Sequence, residues 1–159
     1  MATSTSMPDD KLLGRYARIK TQLEELFVKV TDPLSRMASI AALVQAKMPH
    51  HSWTGFYRLA DGELLVGPYQ GPLACMRLER DVGVCWACAN GRAALVVADV
   101  HAFEGHIACD PSTQSEVVVP VFDGAGEVQA VLDVDSGAPD AFGDADVQGL
   151  TELAALIYA

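Results

Sequence analysis

The stretch "EVVVPVFDGAGEVQAVLDVD", residues 116–135, decides the fold. Two apolar runs, 116–122 and 127–135, flank a glycine-rich connection, which predicts a hairpin of two neighbouring antiparallel strands. Side chains two positions apart on a strand point to the same side, so Asp133 and Asp135 share one face. The hairpin therefore has a side that carries carboxylates and a side that is apolar.

The acidic residues of this hairpin need an explanation. Glu116 opens the first strand, and hairpin pairing places it near the end of the second, beside Asp133 and Asp135. A solvated sheet edge would account for such residues without any function. The surrounding valines favour a buried strand instead, where carboxylates are costly unless they bind a cation or share a proton. Repulsion and desolvation would then raise at least one pKa and leave a neutral acid that can donate a proton.

Helical patterns bracket the strand region. Residues 12–30 place apolar side chains at helical spacing and predict one amphipathic helix. Asp32 followed by Pro33 predicts the start of a second helix, and Asp144 is suited to cap a last one. Between them, runs with a period of two predict strands at 52–59, 63–69, 74–79, 94–99, 116–122 and 127–135.

These elements predict an α+β fold with a central, mostly antiparallel sheet and the N- and C-terminal helices on one face. Loops 67–92 and 99–116 would then build a ligand site over the other face. The chain has 159 residues, enough for one sizeable core. We assign residues 11–159 to this single domain and residues 1–10 to a flexible N-terminus.

Composition argues against several classes of protein. The formal net charge is −10 and no Lys/Arg cluster occurs, which disfavours nucleic acid and anionic membrane surfaces as partners. The sequence contains neither a membrane-spanning apolar run nor the features of a secretory signal, so we expect a cytoplasmic protein. Four cysteines in such a chain indicate metal binding or redox chemistry rather than a structural disulfide framework.

One cysteine stands in the loop "HAFEGHIACD", residues 101–110, directly before the turn-forming pair Asp110–Pro111. Cysteines are commonly buried and inert, but a loop position near carboxylates and another thiol suits a nucleophile. Acidic neighbours would raise the pKa of Cys109. Loop amides or the nearby histidines would have to offset that effect.

Cys85 and Cys88 form a C-x-x-C motif at the start of a predicted short helix that ends at Asn90–Gly91. The helix dipole would lower a thiol pKa there. The spacing also fits half a zinc site, although its conceivable partners lack tight ligand spacing; these are His101, His106 and Cys109. A thioredoxin-like motif is excluded because no βαβ unit surrounds the cysteines.

Trp53 and Tyr57 share a strand face and are separated by Gly55. Core packing is the ordinary explanation for such a pair. Beside a carboxylate cluster, the same two rings would also form a cup for a cation or a polarisable sulfur group.

In order and spacing, "GVC", "DVHAFEGHIACD", "SEVVVP" and "VLDVDS" resemble motifs of the free methionine-(R)-sulfoxide reductases, a family of GAF-domain enzymes. The resemblance covers roughly residues 32–158. It implies that Cys109 is the catalytic cysteine, Cys75 the resolving cysteine and Cys85 a third, auxiliary cysteine. The implied substrate pocket consists of Trp53, Tyr57, Glu116, Asp133 and Asp135.

The resemblance also implies a reaction. Free methionine-(R)-sulfoxide would be reduced to methionine through a cysteine sulfenic acid and an intramolecular disulfide that thioredoxin recycles, without a metal or other cofactor. The family precedent is compatible with a homodimer. An alternative is a non-catalytic GAF sensor that binds a small amino acid or nucleotide in the same cup, which would need the pocket but not the thiols.

The chain departs from the family pattern at two positions. Trp86 follows the cysteine of "GVC", where the family usually has a small residue, and Cys88 is an additional thiol. We expect Trp86 to narrow the pocket mouth or to alter the exchange reactions of Cys85. We expect Cys88 to be structural or a spectator.

Overall fold

A computed structural model describes residues 7–106 and 109–159. Most of the segment that we predicted to be flexible, residues 1–6, lies outside the described residues. The first helix begins at Asp9. Within the described ranges, no helix combines the length and hydrophobicity that crossing a membrane requires.

The described residues form four α-helices and six strands. In chain order they are α1 (Asp9–Phe27), α2 (Pro33–Lys47), β1 (Trp53–Ala60), β2 (Glu63–Gln70), β3 (Arg77–Leu78), α3 (Val84–Gly91), β4 (Leu95–Val97), β5 (Ser115–Phe122), β6 (Val128–Ser136) and α4 (Asp144–Ala154). The strands form one sheet in the order β3-β2-β1-β6-β5-β4, and each neighbouring pair is antiparallel. The α+β prediction is confirmed.

Helices α2 and α4 pack against one face of the sheet, and α1 packs against these two helices in the same core. Alternate residues of the central strands point to this face and are fully buried in the main hydrophobic core, for example Phe56 of β1, Val119 of β5 and Leu132 of β6. The helices contribute Leu23, Ile40 and Leu153 among others. The predicted placement of the N- and C-terminal helices on one face is therefore correct.

The opposite face carries a second, smaller core beneath helix α3 and the connecting loops. Val118 and Val131 are its central strand residues, and Leu64, Leu78 and Val100 pack around them. The prediction that loops cover this face is confirmed, with α3 as an additional covering element.

The first helix ends earlier than its apolar pattern predicts. It stops at Phe27, and Leu26 and Val30 are 57% and 43% exposed, respectively. The buried guanidinium of Arg36 donates hydrogen bonds to the carbonyl oxygens of Phe27 (3.0 Å) and Val30 (2.8 Å). Because Arg36 satisfies these carbonyls, the chain can leave the helix before residue 30.

The ends of the other helices follow the sequence signals with small shifts. Asp32 caps α2 as predicted, because its Oδ2 accepts from the backbone N–H of Ser35 at 2.8 Å. Gly143, rather than Asp144, is the N-cap of α4. Helix α3 includes Gly91, and the left-handed residue that ends it is Arg92, with φ 54°.

Helices α1 and α4 approach closely at Gly149, where an added Cβ would collide with the ring of Tyr16. The Tyr16 hydroxyl donates to Oδ1 of Asp146 at 2.8 Å in a buried position. A glycine in mid-helix is therefore explained here by packing. Gly14 of α1 is different, because a Cβ there would meet only the flexible end of Arg18, at 3.5 Å.

We predict opposite effects for the same substitution at these two helical glycines. Gly149→Ala should lower the free energy of unfolding by about 1–3 kcal/mol because it overpacks the α1–α4 contact. Gly14→Ala should raise it by up to about 1 kcal/mol through helix propensity. Urea denaturation of both variants measures this, and equal effects would contradict the described packing.

Candidate active site

Three carboxylates converge on the face of the sheet that α3 and the loops cover. In the β5–β6 register Glu116 lies opposite Asp135 and Val118 lies opposite Asp133. Glu116 and Asp133 are each 5% exposed, and all three carboxylates line one pocket. The hairpin deduced from the sequence thus brings the predicted acidic residues together.

Burial governs the electrostatics of this cluster. Burial, the largest cause, raises the pKa of each of these side chains: Glu116, Asp133 and Asp135. The negative charges of Asp135 and Glu116 raise the pKa of Asp133 further. No lysine or arginine is among the described residues of the pocket lining. Burial therefore favours the protonated form of these side chains, and a protonated carboxyl group is a neutral acid that can donate a proton.

The rings of Trp53 and Tyr57 form a second wall of the pocket, and Tyr69 supports them from behind the lining. The ring of Trp53 is stacked with those of Tyr57 and Tyr69, with centroids 5.9 Å and 5.3 Å away. Gly55 makes this stack possible, since a Cβ there would strike both Trp53 and Tyr69. The Tyr57 hydroxyl donates to the backbone oxygen of Cys75 at 3.0 Å. Tyr69 was not singled out in the sequence, although it belongs to a run with strand periodicity.

Cys75 and Cys109 form a disulfide, with their Cα atoms 5.6 Å apart and a sequence separation of 34. The bond joins the loop before β3 to the loop before β5, and Cys109 lines the pocket. Asp110 forms the predicted turn, because its Oδ1 accepts from the backbone N–H of Ser112 at 2.9 Å. Two cysteines that are distant in the sequence are thus joined at the acidic pocket, with Cys109 in its lining.

The C-x-x-C motif lies in a different environment from the one predicted. Cys85 and Cys88 are both buried free cysteines. Burial raises the pKa of Cys85 well above its usual value and raises that of Cys88 to about 12. The expectation that the helix dipole lowers a thiol pKa here is wrong, because desolvation outweighs the dipole.

The conceivable zinc partners of this motif do not gather around it. Among the described residues, the group whose donor atoms lie close enough to hold a metal ion is Cys85, Glu116 and Asp133. The group includes neither His101 nor His106, and Cys109 is bonded to Cys75. The described residues therefore do not supply the second half of a zinc site at the C-x-x-C motif.

Trp86 does not narrow the pocket. It is buried, and its Nε1 donates to the backbone oxygen of Leu78 at 3.3 Å. The described lining of the acidic pocket does not include it. The expectation about the pocket mouth is wrong because the indole packs towards β3 instead.

Loop residues complete the pocket. His106 and Thr113 line it from the loop that carries Cys109, and other backbone segments approach from residues 72–74 and 82–84. Burial lowers the pKa of His106, with a smaller contribution from His101. Irregular loops have no hydrophobic periodicity, so only the neighbourhood of a cysteine could have indicated these residues.

The GAF domain family matches residues 23–158 of this chain. A free methionine-R-sulfoxide reductase of Escherichia coli strain K12 is 37% identical over 140 residues, which is 88% of this chain and 84% of that protein. The chain belongs to the free methionine-(R)-sulfoxide reductase family of GAF-domain proteins.

Solved structures agree with this assignment. The free methionine-R-sulfoxide reductase of Neisseria meningitidis, in complex with its substrate, is 34% identical, with a TM-score of 0.87 over 99% of this chain and 94% of that one. The reduced form of the Staphylococcus aureus fRMsr is 36% identical, with a TM-score of 0.85 over 90% and 92% of the two chains. The structural similarity to these reductases thus extends over at least 90% of this chain.

We predict that Asp133→Asn makes the protein more stable at alkaline pH. The raised pKa of Asp133 means that the native chain holds a proton that the unfolded chain releases above about pH 4. The free energy of unfolding therefore falls as pH rises through the folded pKa, and the variant removes this loss. At pH 8 we expect a gain of about 0.5–2 kcal/mol in urea denaturation, shrinking towards pH 4.

Asp123→Asn is the matched control. Hydrogen bonds from the backbone of Glu127 and Ala125 lower the pKa of Asp123. Its carboxylate therefore stabilises the fold above its unfolded pKa, and this stability is lost as pH falls. Asp123→Asn should be less stable than the native chain at neutral pH. The same pH trend in both variants would refute the opposite pKa shifts of Asp133 and Asp123.

Proposed function

We propose that this chain reduces free methionine-(R)-sulfoxide to methionine, with Cys109 as nucleophile and Cys75 as resolving thiol. The single observation that carries the proposal is the Cys75–Cys109 disulfide beside a pocket lined by three buried carboxyl groups with raised pKa values. The relatives named as free methionine-R-sulfoxide reductases, one of them solved with its substrate, support it.

In the first step, the Cys109 thiolate attacks the sulfoxide sulfur. A protonated carboxyl group among Glu116, Asp133 and Asp135 donates its proton to the sulfoxide oxygen, so that the sulfur–oxygen bond breaks without releasing a free oxide. The oxygen passes to Cys109, which becomes a sulfenic acid, and methionine leaves. The sulfoxide sulfur gains the two electrons that the cysteine sulfur loses.

The state of the acids explains how a thiolate can form beside them. Ionised carboxylates would raise the pKa of Cys109 and suppress attack. Burial raises the pKa values of the three acids, which favours their neutral forms and so reduces the negative charge near Cys109. The proton of a neutral carboxyl group is then available for transfer to the substrate.

In the second step, the Cys75 thiol condenses with the Cys109 sulfenic acid. A disulfide forms and the sulfenic oxygen leaves as water. An external dithiol, for which thioredoxin is the natural candidate in the cytoplasm, restores both thiols by exchange. Cys85 acts as an auxiliary thiol; its raised pKa keeps it protonated, so it does not compete with Cys109 for the substrate.

The pocket is suited to the whole free amino acid. The acidic cluster offers a counter-charge for the substrate ammonium, which would allow part of the cluster to ionise while one carboxyl group keeps its proton. The Trp53 and Tyr57 rings supply an apolar wall for the sulfur substituents.

The alternative function is a sensor that binds a small ligand without turnover. It would use the same carboxylates and rings but has no use for a bonded cysteine pair at the pocket. Incubation of the protein with free methionine-(R)-sulfoxide and a dithiol reductant distinguishes the two functions. Chromatography should detect methionine if the chain is an enzyme and none if it is only a sensor.

We predict different amounts of methionine released in the first turnover when each of the two disulfide cysteines is replaced by serine. Cys109→Ser should release no methionine even in a single turnover, because the attacking sulfur is gone. Cys75→Ser should release about one methionine per chain and then stall as the sulfenic acid. Rapid-quench assays without recycling reductant measure the bursts, and equal amplitudes would refute the assigned roles.

We also predict a strong preference for the free amino acid. N-acetylation replaces the ammonium by a neutral amide and leaves a buried charge without its cation, which costs roughly 2–5 kcal/mol. The ratio kcat/KM should fall about 30-fold to several thousandfold for N-acetyl methionine-(R)-sulfoxide. In Asp133→Asn or Asp135→Asn, activity on the free substrate should fall far more than activity on the acetylated one. Similar use of both substrates by the native protein would remove the ammonium role from the cluster.

A further inference from the structure

We propose that Cys85, Glu116 and Asp133 form an inhibitory site for a divalent metal ion, and that Zn²⁺ is the ion that fits it. One donor atom from each residue lies within 4.8 Å of the other two, and all three residues are buried. The Cys85 sulfur is 4.0 Å from Oε1 of Glu116. The three side chains belong to α3, β5 and β6, so regular elements rather than a loop position them.

A buried oxygen that lacks a partner points to a ligand independently of the donor spacing. Oδ1 of Asp133 has no hydrogen-bond partner in the described part of the chain, although the residue is only 5% exposed and lines the pocket. An orphaned buried carboxylate oxygen is costly. The described lining offers no lysine or arginine to satisfy it, so any cation that pairs with this oxygen comes from outside the chain.

The donor set selects the kind of ion. One sulfur and two carboxylates suit zinc, whose bonds to these atoms are about 2.3 Å and about 2.0–2.2 Å long. Such bonds place ligand atoms roughly 3.5 Å apart in a tetrahedron, so the 4.0 Å separation of sulfur and Oε1 needs only a small side-chain adjustment. Magnesium and calcium prefer sites made entirely of oxygen and fit this group less well.

The site would be available in the oxidised protein. It uses neither Cys75 nor Cys109, whose sulfurs are bonded to each other. Zinc must replace the proton of the buried Cys85 thiol, so its affinity should increase with pH. Inhibition follows if the ion occupies the carboxylates that bind the substrate ammonium; this part of the inference rests on the proposed function.

The test is calorimetric titration of the oxidised protein with Zn²⁺, with Mg²⁺ as the comparison ion. We expect one zinc per chain and much weaker magnesium binding. Cys85→Ser and Asp133→Asn should each weaken zinc at least tenfold, whereas Cys88→Ser, which removes the other buried thiol, should retain the native affinity. Circular dichroism checks each fold, and Asp133→Asn decides the matter if Cys85→Ser does not fold.

Two results would overturn the metal site: no zinc binding by the oxidised protein, or binding that persists unchanged in Asp133→Asn and in folded Cys85→Ser. The second result would place the ion elsewhere, for example on surface histidines. A separate titration uses Cys109→Ser, which cannot turn over. There, saturating free methionine-(R)-sulfoxide should raise the apparent Kd for zinc. No competition, with Cys85-dependent binding intact, would contradict the proposed ammonium site and the inhibition, and would leave only the metal site standing.

Discussion

The antiparallel register between β5 and β6 is the constraint on which the rest of the structure depends. It sets Glu116 opposite Asp135 and Val118 opposite Asp133, all on one face. Because side chains alternate along a strand, the same register sends Val119 and the other intervening residues into the helix-covered core. A shift of one residue would expose that core and bury the carboxylates under helices. Fold and active site are therefore specified by one hairpin.

The two faces of the sheet have opposite energetic roles. On the helix side, fully buried apolar residues of both strands and helices stabilise the fold. On the other side, burial raises the pKa values of the carboxylates, which makes their charged forms unfavourable but leaves an acid that can donate a proton. The stable core offsets the cost of this cluster. The chemistry that we propose needs that cost, because a solvated carboxylate would be ionised near neutral pH.

Sequence reasoning predicted the parts that depend on local periodicity. The shared face of Asp133 and Asp135 follows from a period of two, and the Asp32 cap follows from its position before proline. Sequence reasoning gave wrong predictions where burial or long-range contacts decide the outcome. The apolar pattern continues past Phe27, but the helix does not. Arg36, which donates a hydrogen bond to the Phe27 carbonyl oxygen, lies outside that pattern, so the pattern could not show where the helix ends. A motif shows spacing but not desolvation, so the sign of the Cys85 pKa shift was predicted wrongly.

The central claim is that the buried cluster of Glu116, Asp133 and Asp135 keeps at least one proton at neutral pH. Carbon-detected NMR of the oxidised protein, with ¹³C-labelled side-chain carboxyl groups assigned through single Asp→Asn and Glu→Gln variants, follows each group from pH 4 to pH 9. The account predicts that at least one of these three resonances still has the chemical shift of a protonated acid at pH 7. Three resonances that titrate near their unperturbed values, with all groups ionised by pH 6, would contradict it.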